Sequence, residues 1–411
     1  MLSCAHSTVP ARFPAAPGPV PVSVRLMATL LAVPRPTPSR WQQIGADLSV
    51  GDEPMRRLVE WMSSAGTQFT RPLFDQILAG GMAAVPDAPE PLREFFAVFE
   101  PIPAWVDLDR VRRGQRALRR GGADGIYIAR DVSFLGGYQF SSFNQTLLRT
   151  GVLEKGSNKR FAETLQWAMD VTAEGGLEPL GAGYRATLRV RLIHEYVRRH
   201  VAALPDWRAE HWGLPVNQTD MAATLVGALI APAAGGLGMG IVLSPGELED
   251  IAHLSRYVGW LMGIEERWLP GGFRDSIRIL YHTLSALSQP DETTRQLAVP
   301  MAEDPLGWHY PARAGLRRRF ARAQHLSVTA GFLGPRAMRK LGLPAAVLPW
   351  YPLVRIPINL ARSVAALVVP GGAERAAVRG RREQEAFLRT MVGDDDTTIG
   401  ASARVLGQQP H

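Results

Sequence analysis

The chain has 411 residues, 46% of them hydrophobic, and carries a formal net charge of +8. This composition suits a globular protein with a large buried core, and it excludes a disordered chain or a polytopic membrane protein. The 46 basic residues are interleaved with 38 acidic ones, which favours a solvated surface and predicts no nucleic-acid partner. Cys4 is the only cysteine, so one chain cannot build a disulfide or a cysteine-based metal cluster.

The first part of the chain is rich in proline and almost free of helical periodicity. We therefore predict a disordered arm over residues 1–39. Residues 26–33 form an apolar octet that resembles the core of a signal peptide, but it ends at Pro34 and no twin arginine precedes it. We expect cytoplasmic residence, with secretion as the alternative.

From residue 40 onward, apolar residues recur at helical spacing and few stretches alternate with a period of two, which predicts an all-α fold. The predicted helices cover residues 52–64, 90–99, 107–120, 158–173, 185–203, 219–230, 245–263, 272–288, 313–329 and 373–391. We assign one large catalytic domain to residues 40–371, and a C-terminal helix with a flexible tail to residues 372–411.

Residues 221–246 carry no charged side chain and are long enough to span a membrane. However, Pro232 and four glycines between residues 235 and 240 interrupt the stretch. We interpret it as a buried helix followed by a glycine-rich loop, and we predict no stable membrane span.

The helix predicted over residues 185–203 is apolar on two sides, which is typical of a helix that runs through a protein interior. One side carries Arg191, His194 and Arg198, each one turn from the next. A buried guanidinium requires an anion, because an isolated charge in the core costs too much free energy. Two arrangements meet this requirement: haem propionates, with His194 binding the iron, or carboxylates from other helices around a hydrogen-bonded core histidine.

The preceding helix, predicted over residues 158–173, places Arg160 and Thr164 on one face. The short glycine-rich linker over residues 174–184 predicts that the two helices are antiparallel neighbours. Thr164 would then line a ligand held between them. The alternative is an ordinary amphipathic helix with a threonine on its flank.

One other histidine has suggestive spacing. Asp250 and His253 lie three residues apart, as in half of a di-iron site, but the sequence contains no second copy of that motif. We interpret His253 as a core or supporting residue.

The two helices resemble the catalytic domain shared by latex-clearing protein, a rubber oxygenase, and the oxygenase of mycophenolic acid biosynthesis. Four stretches carry the resemblance: residues 160–167 (RFAETLQW), 185–194 (RATLRVRLIH), 213–221 (GLPVNQTDM) and 253–264 (HLSRYVGWLMGI). It extends over roughly residues 50–370, most of the chain.

This resemblance implies a globin-like, all-α core that binds one haem b, with His194 as the axial ligand of the iron. It implies that Arg191 and Arg198 flank this histidine and support the haem, and that Arg160 and Thr164 are catalytic residues on the oxygen side. The implied reaction is cleavage of an isoprenoid carbon–carbon double bond by dioxygen. The expected partners are dioxygen and an apolar small molecule or polyisoprenoid, and we expect a monomer or a weak oligomer.

Two positions depart from the rubber oxygenases. Glu163 stands where they carry a lysine that can close the sixth coordination position of the iron, and a carboxylate supplies no amine. Asn144 stands in the region where they carry a glutamate proposed as a base, and an amide cannot take up a proton. The resemblance therefore constrains the substrate less than it constrains the haem site.

Two other functions stay open. A haem-binding sensor or carrier would use the same site without turnover, and product formation from an alkene under oxygen would distinguish it from an oxygenase. A haem-free helical protein at a membrane surface would use the uncharged stretch 221–246 and the apolar run 345–358, and it would be colourless when purified.

Overall fold

The computed structural model describes residues 9–151, 156–394 and 397. Over these residues the chain is helical and forms no β-strand, and an isolated bridge pairs Phe140 with Gln289. The helices pack into a single domain, which confirms the predicted all-α class.

The helices are numbered in chain order. They are α1 (Val22–Leu30), α2 (Pro38–Ala46), α3 (Glu53–Ser64), α4 (Thr67–Gly80), α5 (Glu90–Ala97), α6 (Leu108–Arg119), α7 (Gly122–Ile128), α8 (Ser141–Arg149), α9 (Ser157–Val171), α10 (Ala182–Ala202), α11 (Ala209–Trp212), α12 (Gln218–Gly236), α13 (Pro245–Leu261), α14 (Phe273–Leu287), α15 (Glu292–Glu303), α16 (Ala314–Lys340), α17 (Trp350–Val368) and α18 (Gly372–Val392). A π-helical segment, Ala129–Phe134, and a short turn, Leu135–Gly137, extend α7.

All ten predicted helices are present, and the structure adds others. Three of the added helices contain an internal proline: Pro72 in α4, Pro300 in α15 and Pro357 in α17. Proline normally signals a helix end, so the sequence pattern alone discounts such segments. Helix α18 agrees with the predicted C-terminal helix, and most of the predicted tail lies outside the described residues.

Of the predicted disordered arm, residues 1–8 lie outside the described residues, whereas residues 9–39 are ordered and contain α1. The Nε of Arg12 donates to the carbonyl of Trp212 over 2.8 Å. The Nε1 of Trp41 donates to the carbonyl of Pro14 over 3.1 Å. A proline lacks an amide hydrogen but keeps its carbonyl acceptor, so donors from the core can fix a proline-rich segment that has no helical pattern.

Helix α12 corresponds to the uncharged stretch, and it runs six residues beyond its predicted end at residue 230. Within the described residues, Gln218–Met239 is the helical stretch long and apolar enough to cross a membrane, and 44% of its most apolar window is buried in the domain. Gly235 lies within the helix and allows close packing, since a Cβ there would come within 2.9 Å of Ile128. A core helix passes the same length test, so this feature alone assigns no span.

Helix α9 contributes to two apolar clusters of the core. Trp167 and Val171 belong to the cluster built largely from α3 to α6 and α12 to α14. Phe161 and Leu165 belong to the cluster built largely from α15, α16 and α18. The N-terminal half of α9, with Arg160, therefore packs in the second cluster, and the C-terminal half of the helix reaches the first.

Candidate functional site

Helices α9 and α10 pack side by side as an antiparallel pair, as the glycine-rich linker predicts. The Nε1 of Trp167 donates to the Oγ1 of Thr187 over 3.1 Å. Gly183 lies so close to α9 that a Cβ there would approach its backbone to 2.6 Å. About two turns further along both helices, this register places Arg160 opposite His194.

His194 is half-buried, and protein atoms surround its imidazole. Desolvation, followed by the charges of Arg198 and Arg160, lowers its pKa to about 4. The imidazole is therefore neutral at physiological pH and can offer a lone pair. Its Nδ1 is buried and has no hydrogen-bond partner within the described residues. A buried nitrogen without a hydrogen-bond partner lowers the stability of the fold unless a ligand compensates for it.

Arg160 is a buried cation, and no carboxylate in the described part of the chain lies within ion-pair distance of it. Desolvation lowers its pKa, whereas the nearby Tyr138 and Glu163 act in the opposite direction. Its Nε is buried without a hydrogen-bond partner, and its guanidinium carbon lies 5.8 Å from the centre of the Phe134 ring. A guanidinium in this setting requires an anion or a strong acceptor.

Thr164 lies one turn from Arg160 on the same helix and is half-buried. Its hydroxyl donates to the carbonyl of Arg160 over 3.1 Å. The hydroxyl hydrogen is thus used within the helix, while the oxygen keeps acceptor capacity. Thr164 therefore shapes the wall of the site by its size and polarity, and it has no hydroxyl hydrogen left to donate to a ligand.

Tyr138 belongs to the same cluster, although the sequence pattern did not indicate it. Its side chain is 0% exposed, and its hydroxyl is buried with no partner within the described residues. Burial raises its pKa to about 12, against the effect of the Arg160 charge, so the phenol keeps its proton and can donate it. The residue follows the π-helical segment, whose irregular spacing conceals it from a search at a period of 3.6 residues.

Arg191 finds its anion within the protein. Its Nε and Nη2 donate to the two carboxylate oxygens of Asp52 over 2.6 and 2.8 Å, and the guanidinium also lies over the rings of Phe95 and Phe99. Asp52 caps the start of α3. For Arg191, the anion is thus a carboxylate of the protein, one of the two alternatives that the sequence left open. A direct contact of Arg191 with haem stays a prediction.

Arg198 is likewise paired. Its Nη1 donates to Glu195 on the same helix, and its Nη2 donates to the carbonyl of Val216 over 2.6 Å. Glu195 is 1% exposed, and desolvation raises its pKa while Arg198 lowers it. Arg198 thus ties α10 to the segment before α12, one turn beyond His194. Its contact with haem also stays a prediction.

Gln218 connects two of the stretches that carry the resemblance. Its Nε2 donates to the carbonyls of Gly51 and Gly263 over 3.0 Å each, and its Oε1 accepts from the amide of Glu265 over 2.9 Å. Gly263 has a φ of 80°, and a Cβ there would come within 2.5 Å of the Arg191 Nε. The starts of α3 and α12 and the end of α13 therefore meet around the Arg191 ion pair.

Asn144 is fully buried and holds the backbone near Tyr138. Its Nδ2 donates to the carbonyl of Tyr138 over 2.7 Å and lies 3.1 Å from the Oγ1 of Thr293. An amide supplies this donor, and a glutamate would not. The departure at residue 144 therefore has a structural role in this chain.

Within the described residues, no group of three or more His, Cys, Asp or Glu side chains is placed to hold a metal ion. His253 accepts a hydrogen bond from the amide of Asp107 over 2.9 Å, a supporting role that agrees with its interpretation from sequence. A surface cavity of about 460 Å³ beside Arg274 shares no residue with the His194 cluster. Haem iron needs only one axial ligand from the protein, and His194 is available for it.

Comparisons with known proteins agree with this architecture. The family model described as "ER-bound oxygenase mpaB/B'/Rubber oxygenase, catalytic domain" matches residues 127–370. A solved structure of latex clearing protein in the closed state superposes with a TM-score of 0.56 at 15% identity, covering 83% of this chain and 91% of that one. No curated protein sequence matches. At this identity the structural likeness establishes a shared helical fold.

The family match spans more than half of the chain and places the molecule among the all-α oxygenases. The chain belongs to the family that comprises the ER-bound oxygenase mpaB/B′ and rubber oxygenase catalytic domains. The match begins at residue 127, later than the start near residue 50 expected from sequence, and it includes Arg160, Thr164, Arg191, His194 and Arg198.

Proposed function

We propose that this chain is a haem b-dependent oxygenase that uses dioxygen to oxidise or cleave a double bond in an apolar, isoprenoid-like substrate. Membership of the family supports the oxygenase activity. One observation carries the haem assignment: His194, neutral and with a buried unpartnered nitrogen, lies opposite Arg160, a buried cation without a carboxylate. Iron and an anionic group together would satisfy both side chains.

His194 fits the role of axial ligand. When bound, haem supplies the redox-active iron at which dioxygen reacts. Because desolvation and the two neighbouring arginines hold the pKa of His194 near 4, no proton has to leave the imidazole before it coordinates at neutral pH.

Arg160 and Tyr138 fit the role of hydrogen-bond donors on the oxygen side. Arg160 carries a charge, and Tyr138 keeps its phenolic proton. Buried donors of this kind stabilise negative charge that develops on oxygen during a reaction. Thr164 shapes the wall beside them. Cleavage of one double bond by one dioxygen places an oxygen atom on each carbonyl end, so the reaction consumes no separate reductant.

Arg191 and Arg198 are proposed as positioning residues. Each is bound to a carboxylate of the protein, and each lies one turn from His194 on α10. The Arg191–Asp52 ion pair fixes α10 against α3, and the hydrogen bond from Arg198 to the carbonyl of Val216 fixes α10 against the segment before α12. Together these contacts hold the imidazole in place.

The absorption spectrum of the purified protein, followed by pyridine haemochrome analysis, tests the cofactor. We expect a Soret band and about one haem b per chain, since a single axial ligand holds a single haem. Incubation with an isoprenoid alkene under oxygen should then yield carbonyl products that are missing under nitrogen. A protein that stays colourless after it has been supplied with haem contradicts the proposal.

A haem-binding sensor or carrier is the second candidate. The observation that favours it is Asn144, whose amide is fixed in a buried hydrogen-bond network and cannot serve as a base. A haem-loaded protein that binds ligands at the iron but forms no product from any alkene tested would support this candidate.

A further inference from the structure

Helix α17 shows apolar side chains on its outer face. Leu353 is 62% exposed, Val364 is 48% exposed and Val368 is 71% exposed. From residue 344 to residue 371, every exposed residue is apolar, a proline or a glycine. An ordinary surface helix shows the reverse pattern, with its polar side chains outward.

The two charged residues of α17 both pair with carboxylates of the domain, although the Arg362 side chain is 39% exposed. Arg355 binds Asp124 over 2.7 Å, and Arg362 binds Glu383 over 3.5 Å. Since both of these charges are paired within the domain, α17 carries no unpaired charge among its described residues. A continuous apolar surface of this extent is unusual for a soluble protein and marks an interaction site.

The N-terminal part of α16 continues this surface. Leu316 and Phe320 are 68% and 55% exposed, and the ring centre of Phe320 lies 5.5 Å from that of Trp350 at the start of α17. We call the exposed apolar residues of α16 and α17 the outer face.

Three exposed arginines alternate with the apolar residues at this end of the outer face. They are Arg313, Arg317 and Arg319, and none of them forms an ion pair with a described residue. The guanidinium carbon of Arg317 lies 5.1 Å from the centre of the Tyr310 ring. Basic and aromatic residues beside an exposed apolar helix are the combination that seats a helix at a lipid headgroup region.

We propose that the outer face binds the surface of an anionic phospholipid bilayer, with α17 lying in the plane of the interface. The apolar side chains would enter the acyl boundary, and the three unpaired arginines would meet the anionic headgroups. A second copy of the chain fits less well, because a two-fold contact would oppose the same patch to itself and offer the three arginines no carboxylate. This proposal does not depend on the proposed function, and its test needs no catalytic activity.

Vesicle sedimentation with the full chain tests the proposal. We expect binding to vesicles that contain phosphatidylserine, weaker binding to phosphatidylcholine alone, and a loss of the difference at high salt. The double variant Leu353→Glu, Val364→Glu should lower binding to both vesicles at least tenfold. The triple variant Arg313→Gln, Arg317→Gln, Arg319→Gln should weaken binding to the acidic vesicles on the order of 100-fold, because each basic residue contributes about fivefold there.

The matched control is Phe69→Glu, which places a charge at a side chain that is 70% exposed on α4. It should bind vesicles like the wild type. Failure of the wild type to sediment with acidic vesicles overturns the proposal, as does an equal loss in the control. A stable dimer that Leu353→Glu dissociates, measured by analytical ultracentrifugation, would instead assign the outer face to a second copy and would also overturn it.

Discussion

Buried arginines on the two helices of the site differ in one respect. On α10, Arg191 and Arg198 each donate to a buried carboxylate of the protein. On α9, the Arg160 guanidinium is desolvated although the residue keeps more accessible surface than Arg191 or Arg198, and no carboxylate among the described residues lies within ion-pair distance of it. The same residue type thus serves two purposes: the paired arginines fix the framework, and the unpaired one is left to meet a ligand.

The difference matters because a guanidinium stays charged in a protein interior. Removing one partner of a buried pair leaves an uncompensated charge and is strongly destabilising. Removing a buried charge that has no partner relieves a cost that the fold already carries. Stability and ligand binding should therefore respond in opposite ways to substitutions on the two helices.

The largest effect is expected at His194, which lies on α10 between Arg191 and Arg198 and opposite Arg160. His194→Ala should lose nearly all bound haem, because the proposal gives the iron a single ligand from the protein, the His194 imidazole. Pyridine haemochrome content and circular dichroism, measured on the same sample, report cofactor and fold separately. His200→Ala, an exposed histidine on the same helix, is the control and should keep its haem. Normal haem content in His194→Ala would show that His194 is not the ligand of the iron.

Arg191→Leu should lower the free energy of unfolding by about 3–5 kcal/mol, because Asp52 is left buried without its cation. Chemical denaturation of haem-free protein measures the change. Arg189→Leu, which breaks a half-exposed pair with Asp75, should cost under about 1 kcal/mol. If Arg191→Leu retains its stability but loses haem, Arg191 contacts the cofactor. The distinction between structural arginines on α10 and a ligand-binding arginine on α9 would then be wrong.

Another buried arginine gives a prediction about pH. Arg130 is shared between Asp131 and Asp304, and burial raises the pKa of Asp304 to about 6 although Arg130 opposes the shift. The native state then holds a proton that the unfolded chain releases near pH 4. Stability should fall as pH rises from about 4 to about 6, and Asp304→Asn should remove roughly 2 kcal/mol of this dependence. Asp87→Asn, at an exposed position, should leave the dependence unchanged.

Arg160→Leu tests the arginine that has no carboxylate partner among the described residues. Stability of the haem-free protein should be unchanged or higher, because a desolvated cation is replaced by an apolar side chain. Affinity for an anionic iron ligand such as azide should fall at least tenfold, since a charge-assisted donor is lost. Titrations monitored at the Soret band give the affinity. A large loss of stability with unchanged azide affinity would show that Arg160 is structural.

The smallest effect is expected for Tyr138→Phe. It removes a buried hydroxyl that has no partner within the described residues, so stability should rise by up to about 1 kcal/mol. Oxygenase turnover should fall while haem content stays normal, and both are measured on one preparation. Wild-type turnover in this variant would assign the stabilisation of oxygen to Arg160 alone.

Periodicity predicted the features that depend on neighbours in sequence. The ten predicted helices, the antiparallel arrangement of α9 and α10 and the burial of Arg191 and Arg198 all agree with the spacing of apolar residues and glycines. The requirement that the arginines have anions was also correct. The anion of Arg191 could not be predicted, because Asp52 lies 139 residues earlier in the chain. Glu195, three residues before Arg198, was within the reach of helical spacing.

Other features stayed hidden for equally physical reasons. The order of residues 9–39 depends on hydrogen bonds in both directions with the rest of the fold: Arg12 donates to the carbonyl of Trp212, and Trp41 donates to the carbonyl of Pro14. Tyr138 lies beyond a stretch that is not α-helical, so no helical wheel places it beside Arg160. The apolar outer face of α17 has the sequence pattern of a core helix, because periodicity gives the apolar side but not the direction in which it faces.

The π-helical segment Ala129–Phe134 has a consequence for how this site can change in evolution. A π turn accommodates an additional residue within a continuous helix. Loss of one residue there would restore α-helical winding and rotate the residues after the segment by roughly 100° about the helix axis. Tyr138 would then leave its place beside Arg160 without being substituted. In this family a one-residue gap between residues 129 and 134 should therefore be interpreted as a change of the site itself, comparable in weight to replacement of a residue that lines it.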